Sequence, residues 1–459
     1  MSLFKEKSDC IDLINETAPQ EKVVVAGWVR TKRVSKSFSF IELNDGSCLP
    51  NIQIIIDQKT SGVELLSDIQ TGATIHVIGN LVKSIGQGQL WEIHASDLYL
   101  LGRCEDDYPL QKKRHSDEFL REIAHLRPRT NKYSAIARIR STLSFAVHDF
   151  FRTEGFHLVN TPIITGSDCE GAGEMFQVTT LDPTNAKSTY SSDFFGKKAH
   201  LTVSGQLALE TYCMALNKVY TFGPTFRSEN SNTTRHMAEF WMVEPEMAFA
   251  NIFDDMDIAE KFVKSVVSVA RVQSKTDLNL FVQYVDQELL ERLDNVLESD
   301  FARITYTEAI EILRESNKEF SFTPAWGKDL QTEHEHYLTE FHFKKPVFVY
   351  DWPINIKAFY MRKNDDNKTV AAMDLLVPVI GELVGGSARE ERLDILLTSM
   401  RDKGFNEKDY WWYLDTRKNG TAPHAGFGLG FERLIMLVTG VSNIRDVIPF
   451  PRTPKSLEF

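Results

Sequence analysis

Cysteine is scarce in this sequence and scattered. Five occur, at positions 10, 48, 104, 169 and 213, an odd number with no CxxC spacing. Neither a disulfide framework nor a structural zinc site is expected, and the thiols read as reduced and mostly buried. No apolar run approaches the roughly 20 residues that cross a bilayer, and Met1 to Lys7 carries no apolar signal-like stretch. The expectation is a cytoplasmic protein with no membrane partner. Internal repeats, low-complexity tracts, a Walker loop and a GxGxxG fingerprint in a βαβ unit are all missing. So is an excess of positive charge. The net charge of −12 argues against a general nucleic-acid binder, and no DNA partner is expected. An acidic enzyme can still present a local positive groove to RNA.

What is present is 459 residues of ordinary globular composition, 42% hydrophobic and 25% charged, enough for two or three domains. Residues 1–105 read as all-β. Val23–Val29, Phe38–Leu43, Asn51–Ile56, Thr74–Val82 and Leu90–Leu101 are five β-rich runs separated by turn residues such as Asn44-Asp45-Gly46. Five short strands suit a small closed barrel, with the OB-fold as leading candidate. Residues 106–135, polar and carrying Pro109 and Pro128, read as a hinge with a short helix. Residues 136–459 read as an α+β domain. It opens with a helix over Arg138–Gly155 and carries a mostly helical insertion at about 251–345. Strands are expected at Val347–Asp351, Ala358–Arg362 and Ala371–Val377, followed by a helix after Arg389 and a last one from Gly430 to Thr439.

Two segments carry chemistry. In Phe226-Arg227-Ser228-Glu229 the Arg and Glu share a face of an extended chain. A polar loop follows, then Arg235-His236 and a second strand from Phe240 to Glu246. This strand–loop–strand unit has cations at its base and tip. Guanidinium groups can fork onto phosphate oxygens and Phe240 can stack on a base, although Arg-x-Glu is also a common surface ion pair. Near the C-terminus, Gly426-Phe427-Gly428-Leu429-Gly430 runs into an apolar helix with Arg433 in its first turn, where backbone dipoles favour anions. Such glycines also serve simply to permit tight packing. Together the two segments point to anion or nucleotide binding.

The segments resemble, in order, signatures of the class II aminoacyl-tRNA synthetases. Thr161-Pro162 is similar to the first, a dimer-forming element. Phe226–Phe240 resembles the second and Gly428–Arg433 the third. The N-terminal barrel resembles that of the subgroup for Asp, Asn and Lys, and the likeness spans nearly the whole chain. Within the subgroup the wording is most similar to the asparaginyl branch. It is carried by Phe119–Thr130, by Cys169-Glu170-Gly171-Ala172-Gly173-Glu174-Met175-Phe176, by Glu239–Glu246 and by Ile356–Arg362. Leu209 stands where aspartyl enzymes carry a Lys and Glu244 where they carry a shorter acid. Both fit a neutral amide ligand better than a carboxylate, though Leu209 also reads as an ordinary core residue.

The resemblance implies ATP-dependent attachment of L-asparagine to tRNA(Asn) through an asparaginyl-adenylate, with ATP and Mg2+, by a homodimer. Carried over by position, Arg227 holds the α-phosphate, Glu229 faces adenine or the terminal adenosine, and Phe240 stacks on adenine. His236 and Arg433 meet the β- and γ-phosphates. Glu382 holds Mg2+, with Ser387 and Asp374 as further metal candidates. Glu170, Ser204, Gln206, Glu244 and Arg389 handle asparagine, and Arg33, Phe40 and Gln53 read the anticodon. Phe40 equally suits a barrel core. Trp352, Asn355, Val379 and Ala388 depart from the expected Tyr, Glu, Gly and Gln, which puts local loop geometry in question. Other readings remain open: an aspartyl enzyme of relaxed tRNA choice, a non-catalytic RNA-binding relative, or an amide synthetase on the same fold.

Overall fold

Alternation of β-branched residues builds the first unit. In the computed structural model, which describes residues 2–86, 88–169, 175–182, 184, 189–231 and 233–459, the chain divides into compact units Met1–Ala135 and Ile136–Phe459. β1 (Gln20–Val34), β2 (Phe38–Asn44), β3 (Ile52–Asp57), β4 (Thr74–Lys83) and β5 (Trp91–Gly102) close a barrel in the order β1-β2-β3-β5-β4. Val25, Ile41, Leu43, Ile54, Ile75 and Val77 point inward and are fully buried. Because successive side chains alternate, Phe40, between buried Ser39 and buried Ile41, lies on the outer face and not in the core.

The second unit is organised on an eight-stranded sheet. Its order is β12 (Ala302–Thr305), β13 (Val347–Pro353), β14 (Thr369–Val377), β15 (Gly381–Ala388), β16 (His424–Gly430), β11 (Glu239–Ala248), β10 (Lys218–Phe226), β6 (His157–Leu158). The interior pairs are antiparallel, whereas the edge pairs β12–β13 and β10–β6 are parallel. A smaller sheet pairs β9 (Ala199–Leu201) with β7 (Ile164–Thr165) and β8 (Gln177–Val178). The helix over Ile252–Gln273 buries Met256, Phe262, Val263 and Val266, and Phe262 meets the Phe427 ring of β16. A capping box of Asn251 and Asp254 fixes where this helix starts.

Three expectations change. The helical stretch after Asp254 contains the strand β12, too short at four residues to show a period. Ala358–Arg362 is not a strand: adjacent Phe359 and Tyr360 are both buried against the helices Leu393–Asp402 and Trp411–Lys418, which breaks alternation. The helix Gln206–Leu216, not among the expected elements, starts where Gly205 packs against Thr161 and Thr221. A Cβ there would lie 2.4 Å from Thr161 Oγ1.

Candidate active site

The hairpin β10–β11 aligns Thr225 with Phe240 and Thr221 with Glu244. Strand alternation puts Phe240, Met242, Glu244 and Glu246 on one face. The neighbouring strand β16 offers that face only glycines: Gly430 opposite Met242 and Gly426 opposite Glu246. A Cβ at Gly426 would sit 2.6 Å from Glu246 Oε1, so glycine here lets a carboxylate lie flat on the sheet. The result is a floor bare on its β16 side and carrying Phe240 and Met242 on its β11 side, walled by Arg227, Glu229, Arg235 and His236 and by the helix starting at Phe431.

A cleft of about 870 Å³, part of it open to solvent, occupies this place. All six residues assigned to ATP from the sequence, Arg227, Glu229, His236, Phe240, Glu382 and Arg433, line it. The Arg227 guanidinium lies 5.5 Å from the Phe240 ring centre. Arg433 Nη1 donates to the Glu382 carbonyl at 2.5 Å and pairs with its carboxylate at 3.4 Å. His236 contacts Thr233 Oγ1 through Nδ1. Arg235, which the sequence left without a role, adds another cation to the wall. Several cations around a floor that carries an aromatic ring suit a polyphosphate attached to a planar base.

The carboxylates on β14 and β15 converge. A Cβ on Gly385 would be 3.0 Å from Glu382 Oε1 and 3.6 Å from Asp374 Oδ1. Asp374 also takes Lys357 Nζ at 2.7 Å, and Lys357 lies over the ring of Trp352 at 3.9 Å. Trp352, one of the departures, thus backs the lysine. Burial pushes Asp374 up to about 6 against the pull of Lys357, while Glu382 lies below its ordinary value because Arg433 and Lys357 overcome burial. Ser387, the other metal candidate, is turned elsewhere: its Oγ accepts from Arg389 at 2.7 Å. Nearby, burial raises Glu335 to about 7, with Glu382 adding to the shift and Arg235 opposing it. A raised carboxyl stabilises the fold fully below its ordinary 4.5 and loses that contribution as pH climbs through about 7. In the absence of ATP, Glu335→Gln should therefore gain on the unsubstituted protein by on the order of 3 kcal/mol at pH 8 and by little at pH 4.5. A melting-temperature difference independent of pH would refute this.

Deeper on the same face, the residues assigned to asparagine meet a buried polar layer. Glu244 accepts from the Ser204 hydroxyl and, at 3.0 Å, from Gly205 N–H. Arg389 is not free to point at a ligand unaided: it forks onto Glu246 at 2.5 and 3.2 Å. Gln206 Nε2 donates to Glu210 at 3.1 Å. Glu210 also accepts from Tyr413 (2.9 Å), Arg417 (2.5 Å) and His424 Nε2 (2.9 Å). Glu246, Glu210, Arg417 and His424 were missed because three of them lie far apart in sequence and none shows its partner there. Leu209 sits in an apolar cluster with Cys213 and Val219 and is fully buried. This is the core reading, so it is not part of the cleft's lining. Glu170 lies outside the described residues.

In the first unit, Arg33, Phe40 and Gln53 share the barrel's outer face. Arg33 pairs with Phe40 in register, its guanidinium 5.0 Å from the ring centre. Gln53 pairs with Glu42, two residues along β2, and its amide donates to Glu92 at 3.2 Å.

Comparison with known proteins decides what the cleft belongs to. Residues 116–454 match the model for "tRNA synthetases class II (D, K and N)", and residues 23–101 that for "OB-fold nucleic acid binding domain". This chain is a class II tRNA synthetase. It is 61% identical over 460 residues to the asparagine–tRNA ligase of Oleidesulfovibrio alaskensis, covering 99% of this chain and 100% of that one. It is 58% identical over 443 residues to that of Clostridium tetani, covering 95% and 96%. Among solved structures, the asparaginyl-tRNA synthetase of Pyrococcus horikoshii complexed with asparaginyl-adenylate superposes with a TM-score of 0.87 at 34% identity, covering 98% of this chain and 99% of that one. The Entamoeba histolytica asparaginyl-tRNA synthetase with asparaginyl-adenylate gives 0.82 at 26%, covering 95% and 96%. The OB-fold barrel and the largely antiparallel sheet are the fold of this family as the sequence implied. No helix among the described residues is long and apolar enough to cross a membrane.

Proposed function

We infer that this synthetase attaches L-asparagine to tRNA(Asn) at the expense of ATP. The observation that carries the reading is the convergence of six sequence-assigned residues on one cleft in a chain 61% identical, end to end, to an asparagine–tRNA ligase. In the first step an oxygen of the asparagine α-carboxylate bonds to the α-phosphorus of ATP, and the bond to pyrophosphate breaks. In the second a ribose hydroxyl of the terminal tRNA adenosine takes the aminoacyl group and AMP leaves.

Positioning and charge neutralisation dominate the first step. Arg227, its guanidinium 5.5 Å from the centre of the Phe240 ring, holds the α-phosphate, and Phe240 is the adenine platform; Arg433 and His236 take the β- and γ-phosphates. Glu229 faces the adenine or the incoming adenosine. Mg2+ supplies further neutralisation of the phosphates. Glu382 and Asp374 fit it, because magnesium proteins commonly offer only one or two carboxylates beside substrate phosphates, and these two converge over Gly385. Ser387, engaged by Arg389, is better placed to orient that arginine than to bind metal. Glu244 accepts from the asparagine amide NH2, which a second carboxylate could not offer, and Arg389, steered by Glu246, donates to the amide oxygen. Ser204, Gln206 and Glu170 handle the α-amino end.

Arg33, Phe40 and Gln53 read unstacked anticodon bases on the barrel's outer face, by stacking and edge hydrogen bonds. We place the enzyme in the cytoplasm, as a homodimer formed through the region of Thr161-Pro162. Exposed Ile163 and Ile164, next to it in the chain, are surface a second copy would cover. ATP–pyrophosphate exchange tests the assignment: asparagine should drive it and aspartate should do so at least about 100-fold less well, as expected where a buried polar site is mismatched. Exchange with aspartate alone would make it an aspartyl enzyme. No exchange with intact RNA binding would make it a non-catalytic relative.

A further inference from the structure

The insertion at 251–345 has no part in the reaction as described so far, yet one end of it reaches the phosphate end of the cleft. The helix Thr332–His336 continues as a wider π-helical turn over Tyr337–His342. From this segment side chains grip two features of the site.

One is Arg235 in the cleft wall. Its Nη1 donates to Thr332 Oγ1 at 3.3 Å and lies 4.0 Å from Glu335 Oε2, while Nη2 lies 3.4 Å from His336 Nε2. The other is the turn between β14 and β15, the strands that bring Asp374 and Glu382 together. Here Val379 stands at φ +70°, a left-handed conformation that a β-branched residue adopts only under constraint. The constraint is visible on both sides of the residue. Glu340 Oε1 accepts the Val379 N–H at 2.8 Å and pairs with His336 Nδ1 at 3.0 Å. The Val379 carbonyl faces Arg235 Nη2 at 3.4 Å. Two residues on, Gly381 at φ +77° leaves the space that Glu335 fills: a Cβ there would be 2.3 Å from its Oε2. A strained turn, a cation of the cleft and the carboxylate hairpin therefore share one support, and that support comes from the insertion. Strain of this kind persists where the surroundings over-determine it, and it gathers at ligand clamps.

We propose that residues 332–342 form a strut that fixes Arg235 and the strained Val379 turn against the triphosphate end of the cleft. Glu340 is a positioning residue for the ATP half-reaction, acting through the Val379 turn and the Arg235 that this turn and the strut hold in the cleft wall. The Val379 side chain is part of the device: it stiffens a turn where glycine would let the β14–β15 hairpin, and Glu382 with it, move.

The inference rests on the ATP reading of the cleft, so asparagine-dependent exchange by the unsubstituted full-length enzyme is measured first, and its absence would count against that reading and not this one. With exchange established, Glu340→Ala should raise KM for ATP by about tenfold, the scale at which misplacement of groups by fractions of an ångström is felt. KM for asparagine should stay within about twofold. Glu340→Gln, which keeps an acceptor for the Val379 N–H, should restore most of the loss. Arg235→Ala should raise KM for ATP similarly, and the double variant with Glu340→Ala should fall short of the product of the two effects, because both act through one turn. Val379→Gly covers the case in which Glu340→Ala does not fold: it should raise KM for ATP severalfold while leaving the melting temperature equal or higher, since strain is released. Unchanged KM for ATP in Glu340→Ala or Val379→Gly overturns the proposal. So does a parallel rise in both KM values, or failure of Glu340→Gln to rescue.

Discussion

Arg227→Ala should abolish asparagine-dependent ATP–pyrophosphate exchange, by about a thousandfold or more, while leaving the melting temperature and tRNA affinity close to those of the unsubstituted enzyme. The size follows from where the guanidinium sits. It extends over the Phe240 ring at the junction of the base platform and the phosphate wall, the place where the reacting phosphorus must lie if the base stacks on Phe240 and the outer phosphates reach Arg433. Charge develops at that phosphorus in the transition state, and removing one pre-organised donor at such a point costs two to three orders of magnitude. A guanidinium at the reacting phosphorus, with Arg433 given to the outer phosphates and Arg235 held in the cleft wall, stands at the upper end. The fold should survive because Arg227 is only half-buried at the end of β10, outside every apolar cluster. Arg227→Lys is informative beside it. A lysine retains the charge but not the two-pronged geometry, so it should recover part of the rate and leave a deficit. Normal exchange in Arg227→Ala would remove the α-phosphate role, and with it the order of ATP along the cleft.

Local signals made the barrel legible. Strands β2, β3 and β4 alternate, and the Asn-Asp-Gly turn is a backbone signature, so the expected and observed bounds of β2 to β5 nearly coincide, while β1 runs past the expected Val23–Val29 at both ends, Gln20–Val34. The shared cleft of Arg227, His236 and Arg433 was legible for a different reason: they belong to short contiguous segments whose residue types suit phosphate chemistry. The buried polar layer around Glu210 and Glu246 was not. Gln206 and Glu210 lie on one helix, but Arg417 and His424 arrive from some 200 residues downstream, and only the sheet brings Glu246 to Arg389. Nothing in a linear pattern tells a buried ionic partner from a solvated one. Leu209 was open to two readings in the sequence, a substitute for a cation and an ordinary core residue, and only the structure shows it packed with Cys213 and Val219. Val379 shows the converse. The sequence flagged it as out of pattern, and the structure supplies the cause, a left-handed turn held from both sides.

Glu210→Ala should be the most destabilising single change in the catalytic unit, and it should damage asparagine binding more than ATP binding. Glu210 is fully buried and accepts hydrogen bonds from four side chains. Its carboxyl is held far below the ordinary range: burial opposes ionisation, but Arg417 and His424 outweigh it. Truncation strands the Arg417 guanidinium, itself fully buried and otherwise bonded to the Glu390 carbonyl, Thr416 and Tyr413. Breaking a buried ion pair from one side costs about 3–5 kcal/mol, which for a unit of this size lowers the melting temperature by roughly 5 °C. Removing both charges together, with Glu210→Leu and Arg417→Met, should cost less than Glu210→Ala alone, since no uncompensated charge is left. The functional consequence runs through Gln206. With its Nε2 fixed on Glu210, the amide oxygen is the atom left for the α-amino group of asparagine; without Glu210 the amide can rotate and present a donor to a cation instead. KM for asparagine should therefore rise by about tenfold or more in Glu210→Gln, a variant that holds its shape better, while KM for ATP changes little. Equal shifts in both constants would show that Glu210 supports the sheet as a whole and does not orient Gln206.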